Sequence, residues 1–243
     1  MRIDHRSTLG LDGSEHLIGS AALLGGLFVL IFSLTGLSAQ RAGAVRTTIA
    51  GRMSLVLTIV AAVVLFNEHL SKLALLGIIL ALVGLLLTSM TEDGKEGPRS
   101  WSLPFLIFLC SGAADIGVAV THRFHITTTN ASAFPTLCFG ASAVVSAALL
   151  LLRNQMQALR NMRTWVGGAA LGVVNYASLL FLIRALNTGG HPASVIFPLM
   201  NILAILIATA AGVLFFRERP SASQWCGISL CVVSLALITG ASS

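Results

Sequence analysis

Two charged side chains stand inside stretches that otherwise carry almost no charge. Arg52 lies ten residues into the apolar run 42–66, and Asp115 is the only carboxylate well inside any such run. At the rise of a helix, Arg52 is about 15 Å from the start of its run. A charge that deep in hydrocarbon costs a few kcal/mol or more, so it should face a cavity or a partner. Thr47, Gly51, Ser54 and Thr58 recur at helical spacing and lay a small, polar stripe beside Arg52. Ser111, Asp115, Val118 and His122 form one face of the run 103–121 and its C-terminal edge. Asp115 could pair with Arg52, bind a cationic group of a solute, or carry a proton. Removal from water and a nearby guanidinium act on its protonation in opposite senses. The structural alternatives are an Arg satisfied by backbone carbonyls and a buried ion pair.

Further polar groups sit at mid-run positions. Gly168, Gly172 and Asn175 share a face, with Tyr176 beside it. Small residues at that spacing mark close helix packing, and Asn175 and Tyr176 are candidate solute ligands. Asn201 lies three residues after Pro198, which removes a helix hydrogen bond and allows a bend. Transporters often bind solute at bent or broken helices near the bilayer midplane, and Asn201 joins the candidates on that ground. A hydrogen-bonded structural Asn is the alternative. Arg46 and Arg184 lie within about a turn of run ends, where snorkelling accounts for them.

The elements that position these groups follow from composition. The 243 residues are 56% hydrophobic and 10% charged, where a soluble domain carries about a quarter charged residues. The missing charge points to lipid as the solvent. Eight apolar runs have the length that a spanning helix needs: 17–38, 42–66, 72–90, 103–121, 132–152, 164–186, 192–216 and 222–240. Runs such as "LALLGIILALVGLLLTSM" lack the alternation of barrel strands. The first run is too long for a signal-peptide core and follows a polar leader at 1–16. The fold class expected is therefore an all-α integral membrane protein with eight transmembrane helices.

The chain also repeats itself. "FNEHLSKLALLGI" (66–78) and "FRERPSASQWCGI" (216–228) share Phe, Glu, Ser and the closing Gly-Ile at an offset of 150. The same shift lays runs 17–38, 42–66 and 72–90 on 164–186, 192–216 and 222–240. Each run precedes its image by five spans, an odd number, so the copies enter the membrane from opposite faces. That is an inverted repeat. Ser71 and Ser221 suit helix N-caps, Ser221 with Gln224 fits a capping box, and Glu68 and Glu218 read as turn residues. Runs 103–121 and 132–152 have no images, because those would precede residue 1. The plan expected is a 5+5 inverted repeat with its first two helices missing. It has a leader at 1–16, three helices at 17–90, a polar linker at 91–102 and five helices at 103–240.

The paired junctions, the 5+5 plan and "ASVIFPLMNILAILIATAAGVLFFRERPSASQWCGISLCVVSLALI" together resemble the EamA branch of the drug/metabolite transporter superfamily. "AGAVRTTIAGRMSLVLTIVAAVVLFNEHLSKLALLGIILALVGLLLTS" is similar to the first-copy pattern of that family. The resemblance covers the chain from about residue 17 onward. It implies a multi-pass carrier in the cytoplasmic membrane, exporting or exchanging amino acids, metabolites or drug-like compounds. It also implies ten helices, of which the first helps line the cavity, and a cytoplasmic C-terminus. The distribution of Lys and Arg points the other way, with five on the side of the leader and C-terminus and nine on the opposite side. We take the orientation from the resemblance.

Other chemistries find little footing. No ATP-binding loop is present, so a gradient must drive any transport. The histidines lie in the leader or near run ends, and His122 with His125 supplies only two metal ligands. We expect no enzyme, no cofactor and no metal site. The net charge of +6 comes without a basic run or an aromatic-basic patch, which argues against nucleic acid. Cys110, Cys138, Cys226 and Cys231 lie in apolar runs and read as small apolar filler. Trp101, Trp165 and Trp225 each open a run, as an interfacial belt does. Gly25-Gly26, Gly167-Gly168 and Gly189-Gly190 read as packing or turns. The partners expected are a small-molecule solute and the bilayer, with room for a homo-oligomer. A non-transporting membrane fragment or scaffold is the competing reading.

Overall fold

A computed structural model describes residues 9–67, 71–89, 102–126, 131–153, 162–188, 192–215 and 221–241. Within them the chain forms α1 (Leu9–Arg41), α2 (Ala44–Met53), α3 (Leu55–Phe66), α4 (Lys72–Ser89), α5 (Ser102–His125), α6 (Ala133–Leu152), α7 (Met162–Thr188), α8 (Ala193–Phe215) and α9 (Ala222–Ala241). No strand occurs among the described residues. Five stretches are long and apolar enough to cross a membrane: His16–Arg41, Arg46–Phe66, Ser102–His125, Ala133–Leu152 and Thr164–Asn187. Lys72–Thr88, Ala193–Ile207 and Ala222–Ile238 are shorter apolar helices. This is an all-helical, multi-pass membrane protein.

Three elements differ from the sequence expectation. α1 begins at Leu9, within the polar leader, because an apolar run marks lipid contact and not the start of the hydrogen-bond ladder. α5 continues to His125, past the apolar run that ends at 121, for the same reason. The run 42–66 is divided at Ser54 into α2 and α3. Ser54 Oγ donates to Gly51 O at 2.7 Å, a side-chain bond that competes with the ladder at the break.

Helix ends follow local chemistry. Ser71 Oγ accepts the Ala74 N–H at 3.1 Å. Ser221 and Gln224 form the reciprocal capping box: Ser221 N–H donates to Gln224 Oε1 at 2.8 Å and Gln224 N–H to Ser221 Oγ at 3.4 Å. Glu68 and Glu218 lie outside the described residues. The turn from α1 to α2 passes through Gly43 at φ 96, a backbone region that glycine adopts without strain. Asn67 closes α3 in the left-handed conformation at φ 51.

The chain divides into two compact units. Residues 1–30 and 117–190 form the first, and residues 31–116 and 191–243 the second. In the first unit, α1 meets α6 at Gly25, where an added Cβ would stand 2.5 Å from Cys138 O. Ser142 Oγ lies 2.9 Å from both Gly25 O and Cys138 O, its one proton shared between them. Leu24 seats against Gly117, Phe28 tilts on Phe139, and Phe134, Cys138 and Ile183 are fully buried. Gly25 therefore packs as expected, whereas a Cβ at Gly167, Gly168 or Gly172 would meet nothing within 4 Å among the described atoms.

In the second unit, α4 and α9 run antiparallel in close contact. A Cβ at Gly77 would stand 2.7 Å from Ile238 Cγ1, and one at Gly227 would stand 2.8 Å from Thr88 Cγ2. A Cβ at Gly84 would stand 2.8 Å from Gly227 O and from Cys231 Sγ. Ser234 Oγ donates to Gly77 O at 2.6 Å. Small side chains at the crossing let the two backbones approach, which is how helices associate in lipid. The contact residues are the same register positions at an offset of 150: Gly77 and Gly227, Ala81 and Cys231, Gly84 and Ser234, Thr88 and Ile238. Shifting the contact Gly77–Ile238 by that offset gives Gly227–Thr88, and shifting Gly77–Ser234 gives Gly227–Gly84.

Candidate functional site

The second unit brings Arg52 and Asn201 together. Arg52 sits in the last turn of α2, where a cation complements the carbonyl end of the helix. Its Nη1 donates to Asn201 Oδ1 at 3.3 Å. Asn201 is oriented by its own helix, since its Nδ2 donates back to Phe197 O at 3.1 Å. Pro198 lies inside α8 one turn earlier, fully buried, and brings no N–H to the ladder. Both residues are half-buried. A one-residue irregularity at Ser54, whose backbone stays helical, and a proline in α8 thus flank one polar contact.

Asp115 takes a different partner. A Cβ at Gly112 would stand 2.5 Å from Leu57 Cδ1, so α5 can approach α3 only because Gly112 lacks one. That approach sets Asp115 Oδ2 3.4 Å from Thr58 Oγ1, which donates to it. Thr58 is fully buried and Asp115 half-buried. The ion pair between Arg52 and Asp115 that the sequence allowed is not formed; Arg52 bonds an amide and Asp115 a hydroxyl. Arg52 and Thr58 are six residues apart, about 9 Å of helix rise. The unit therefore holds a guanidinium on α2 and, on α5 against Thr58 of α3, a carboxylate, each with a neutral protein partner. Such a pair of groups can bind a polar solute or exchange a proton.

The remaining candidates belong to the first unit. Tyr176 on α7 hydrogen-bonds Thr136 on α6 at 3.1 Å and meets Phe139 edge-on, with ring centroids 5.9 Å apart. Asn175 Nδ2 donates to Leu171 O of its own helix at 2.8 Å. His122, placed by the sequence on one face with Asp115, lies within 3.0 Å of Asn187 Oδ1. Sequence reasoning did not find Thr136 or Asn187, and nothing in their spacing sets them apart from other polar residues near helix ends.

One further polar feature corrects the sequence reading. Arg46 is buried, with 6% of its surface exposed, so it does not snorkel; Arg184 is exposed. Beside Arg46, Thr47 Oγ1 lies 2.7 Å from Ser38 Oγ and donates to Gly43 O at 2.9 Å, which ties α1 to the start of α2. Cys231 is fully buried and packs on Gly84, and it also lies within electrostatic reach of the Arg52 guanidinium. All four cysteines are free thiols. Among the described residues no group of three or more His, Cys, Asp or Glu is placed to hold a metal ion.

Apolar helices of this length define a multi-pass membrane protein. Comparison with known proteins makes the class specific. Residues 101–240 match the EamA-like transporter family. A protein of Haemophilus influenzae, described as uncharacterized, is 31% identical over 207 residues, which cover 84% of this chain and 69% of that protein. The chain belongs to the EamA-like transporter family. That family comprises transporters and not enzymes. A solved structure, described as the crystal structure of a protein, superposes with a TM-score of 0.67. It is 15% identical, and the match covers 89% of this chain and 76% of that one, a likeness of fold alone.

Proposed function

We propose that this chain is a gradient-driven carrier of small metabolites or drug-like solutes in the cytoplasmic membrane, working by alternating access. The observation that carries the reading is the Arg52–Asn201 hydrogen bond. A guanidinium and an amide on neighbouring helices, the amide one turn after a proline, are the kind of parts from which transporters build solute sites. Asp115, in the same unit, is also proposed to contact the solute and to couple it to protons; Asn175 and Tyr176 are proposed separately as solute contacts of the first unit.

The inverted repeat belongs to this proposal, with all eight apolar helices spanning the bilayer. It is supported by the crossing of α4 and α9, whose contacts map onto themselves at an offset of 150 while the helices run antiparallel. A two-fold axis perpendicular to both helices has that signature. Asn201 and Arg52 sit near the same relation, since Asn201 is the image of Gly51. An inverted repeat supplies two arrangements of similar energy, one open to each face, and that is the physical basis of alternating access.

The test is uptake by the purified full chain in proteoliposomes, screened against radiolabelled metabolites under an imposed proton or sodium gradient. At least one solute should accumulate above empty vesicles, and Arg52→Gln should reduce that accumulation about 10- to 100-fold. A fragment or scaffold would give no uptake of any solute under either gradient.

A further inference from the structure

We propose that the Arg52 guanidinium is the recognition point for a single carboxylate group on the solute. This deepens the carrier reading and rests on it. A guanidinium has five N–H donors in a planar fork. One is taken by Asn201 Oδ1, at the long distance of 3.3 Å. Among the described residues Arg52 has no other hydrogen-bond partner and no ion-pair partner. The carboxylate of the same unit, on Asp115, is held at Thr58 instead. Arg52 therefore keeps a positive charge that no described group neutralises at contact distance, in a stretch apolar enough to span a membrane.

The chemistry of that charge selects its ligand. In a medium of low dielectric an unpaired guanidinium is costly, and an arriving anion removes the cost. The flat fork matches a carboxylate through two parallel N–H···O bonds. A neutral amide would leave the charge uncompensated. A phosphate dianion would bring one more charge than a lone guanidinium offsets, with Asp115 opposing it from the same unit. Asn201 fixes one edge of the guanidinium and leaves the rest of the fork for the ligand.

The experiment is arginine labelling with phenylglyoxal on the full chain in proteoliposomes, read at Arg52 by peptide mass spectrometry. Benzoate, benzamide and phenyl phosphate are the probes, and the exposed Arg153 is the internal control. Benzoate should slow labelling of Arg52, about threefold at twice its Kd by mass action, while Arg153 is unaffected. Benzamide and phenyl phosphate at equal concentration should protect markedly less. Equal protection by all three probes overturns the proposal, as does no protection by benzoate. So does an Arg52 that never reacts while Arg153 does, because a solute site must open to water. Uptake that survives in Arg52→Gln, with Arg52 unprotected by benzoate, sinks this inference and spares the carrier. Protection by benzoate without uptake of any solute supports the carboxylate site and sinks the carrier.

Discussion

Gly77 and Gly227 hold equivalent places on the two sides of one helix crossing. Gly77 meets α9 at Ile238, and Gly227, 150 residues on, meets α4 at Thr88. The surroundings differ in one respect that can be measured. The atom nearest a Cβ at Gly77 is a side-chain carbon of Ile238, at 2.7 Å. A Cβ at Gly227 would stand 2.8 Å from two backbone atoms, Gly84 O and Thr88 N. A side chain can turn away and a backbone cannot. Gly227→Ala should therefore destabilise by roughly 1–3 kcal/mol, the range of an overpacked core, and Gly77→Ala by less. Unfolding in mixed micelles checks the order, and equal stability of both variants with the wild type would mean that the helices are not in this contact.

The contact of α1 with α6 gives a second stability prediction. A Cβ at Gly25 would collide with Cys138 O at 2.5 Å, and Ser142 bridges the same two backbones. Gly25→Ala should lower the unfolding midpoint clearly, while Ser142→Ala should cost only about 1 kcal/mol, the net worth of one hydrogen bond. Gly26→Ala is the control, because a Cβ there meets nothing within 4 Å. It should be neutral or slightly stabilising, since Ala is the better helix former.

Arg52 can be probed without removing its charge. Arg52→Lys keeps the cation and loses the fork that bonds Asn201 and a planar anion together. For the solute returned by the uptake screen, Arg52→Gln should reduce uptake about 10- to 100-fold, the worth of a charge-assisted hydrogen bond. Arg52→Lys should fall between Arg52→Gln and the wild type. A Lys variant as active as the wild type would show that charge alone suffices.

Asp115 is the test of coupling. If it carries the proton, uptake by the wild type changes between pH 6 and pH 8 and uptake by Asp115→Asn does not. Thr58→Val removes the described hydrogen-bond donor to Asp115 but leaves the carboxylate, so it should shift the pH profile without flattening it. An Asp115→Asn profile that follows the wild type would assign the coupling elsewhere.

Much of this architecture was legible in the chain. The apolar runs at 72–90, 132–152 and 222–240 match α4, α6 and α9 to within a residue or so. The caps at Ser71 and Ser221 were legible too, since an N-cap is a local affair of three residues. The break at Ser54 was not, because serine in a helix interior gives no warning of it. Glycine pairs drew attention at 167 and 168, where no described atom packs, as well as at Gly25, and not at Gly77, Gly84 and Gly227, where two backbones touch. The signal was present in the sequence, as small residues at positions 150 apart. Arg52 and Asn201 could be named as interior polar groups, but their partnership depends on how α8 packs against α3, which brings Asn201 within reach of the end of α2. The choice of Thr58 over Arg52 by Asp115 depends likewise on Gly112, which no periodicity marks.

The central claim is that the place beside Arg52 opens to water on each side of the membrane in turn. Gly51 offers the probe position, since a side chain there meets nothing within 4 Å. The measurement is labelling of Gly51→Cys, with Cys110, Cys138, Cys226 and Cys231 replaced by Ala, by a membrane-impermeant thiol reagent supplied to one face of the vesicle and then to the other. A carrier predicts modification from both faces. No modification from either face, in a variant that still folds, would contradict it.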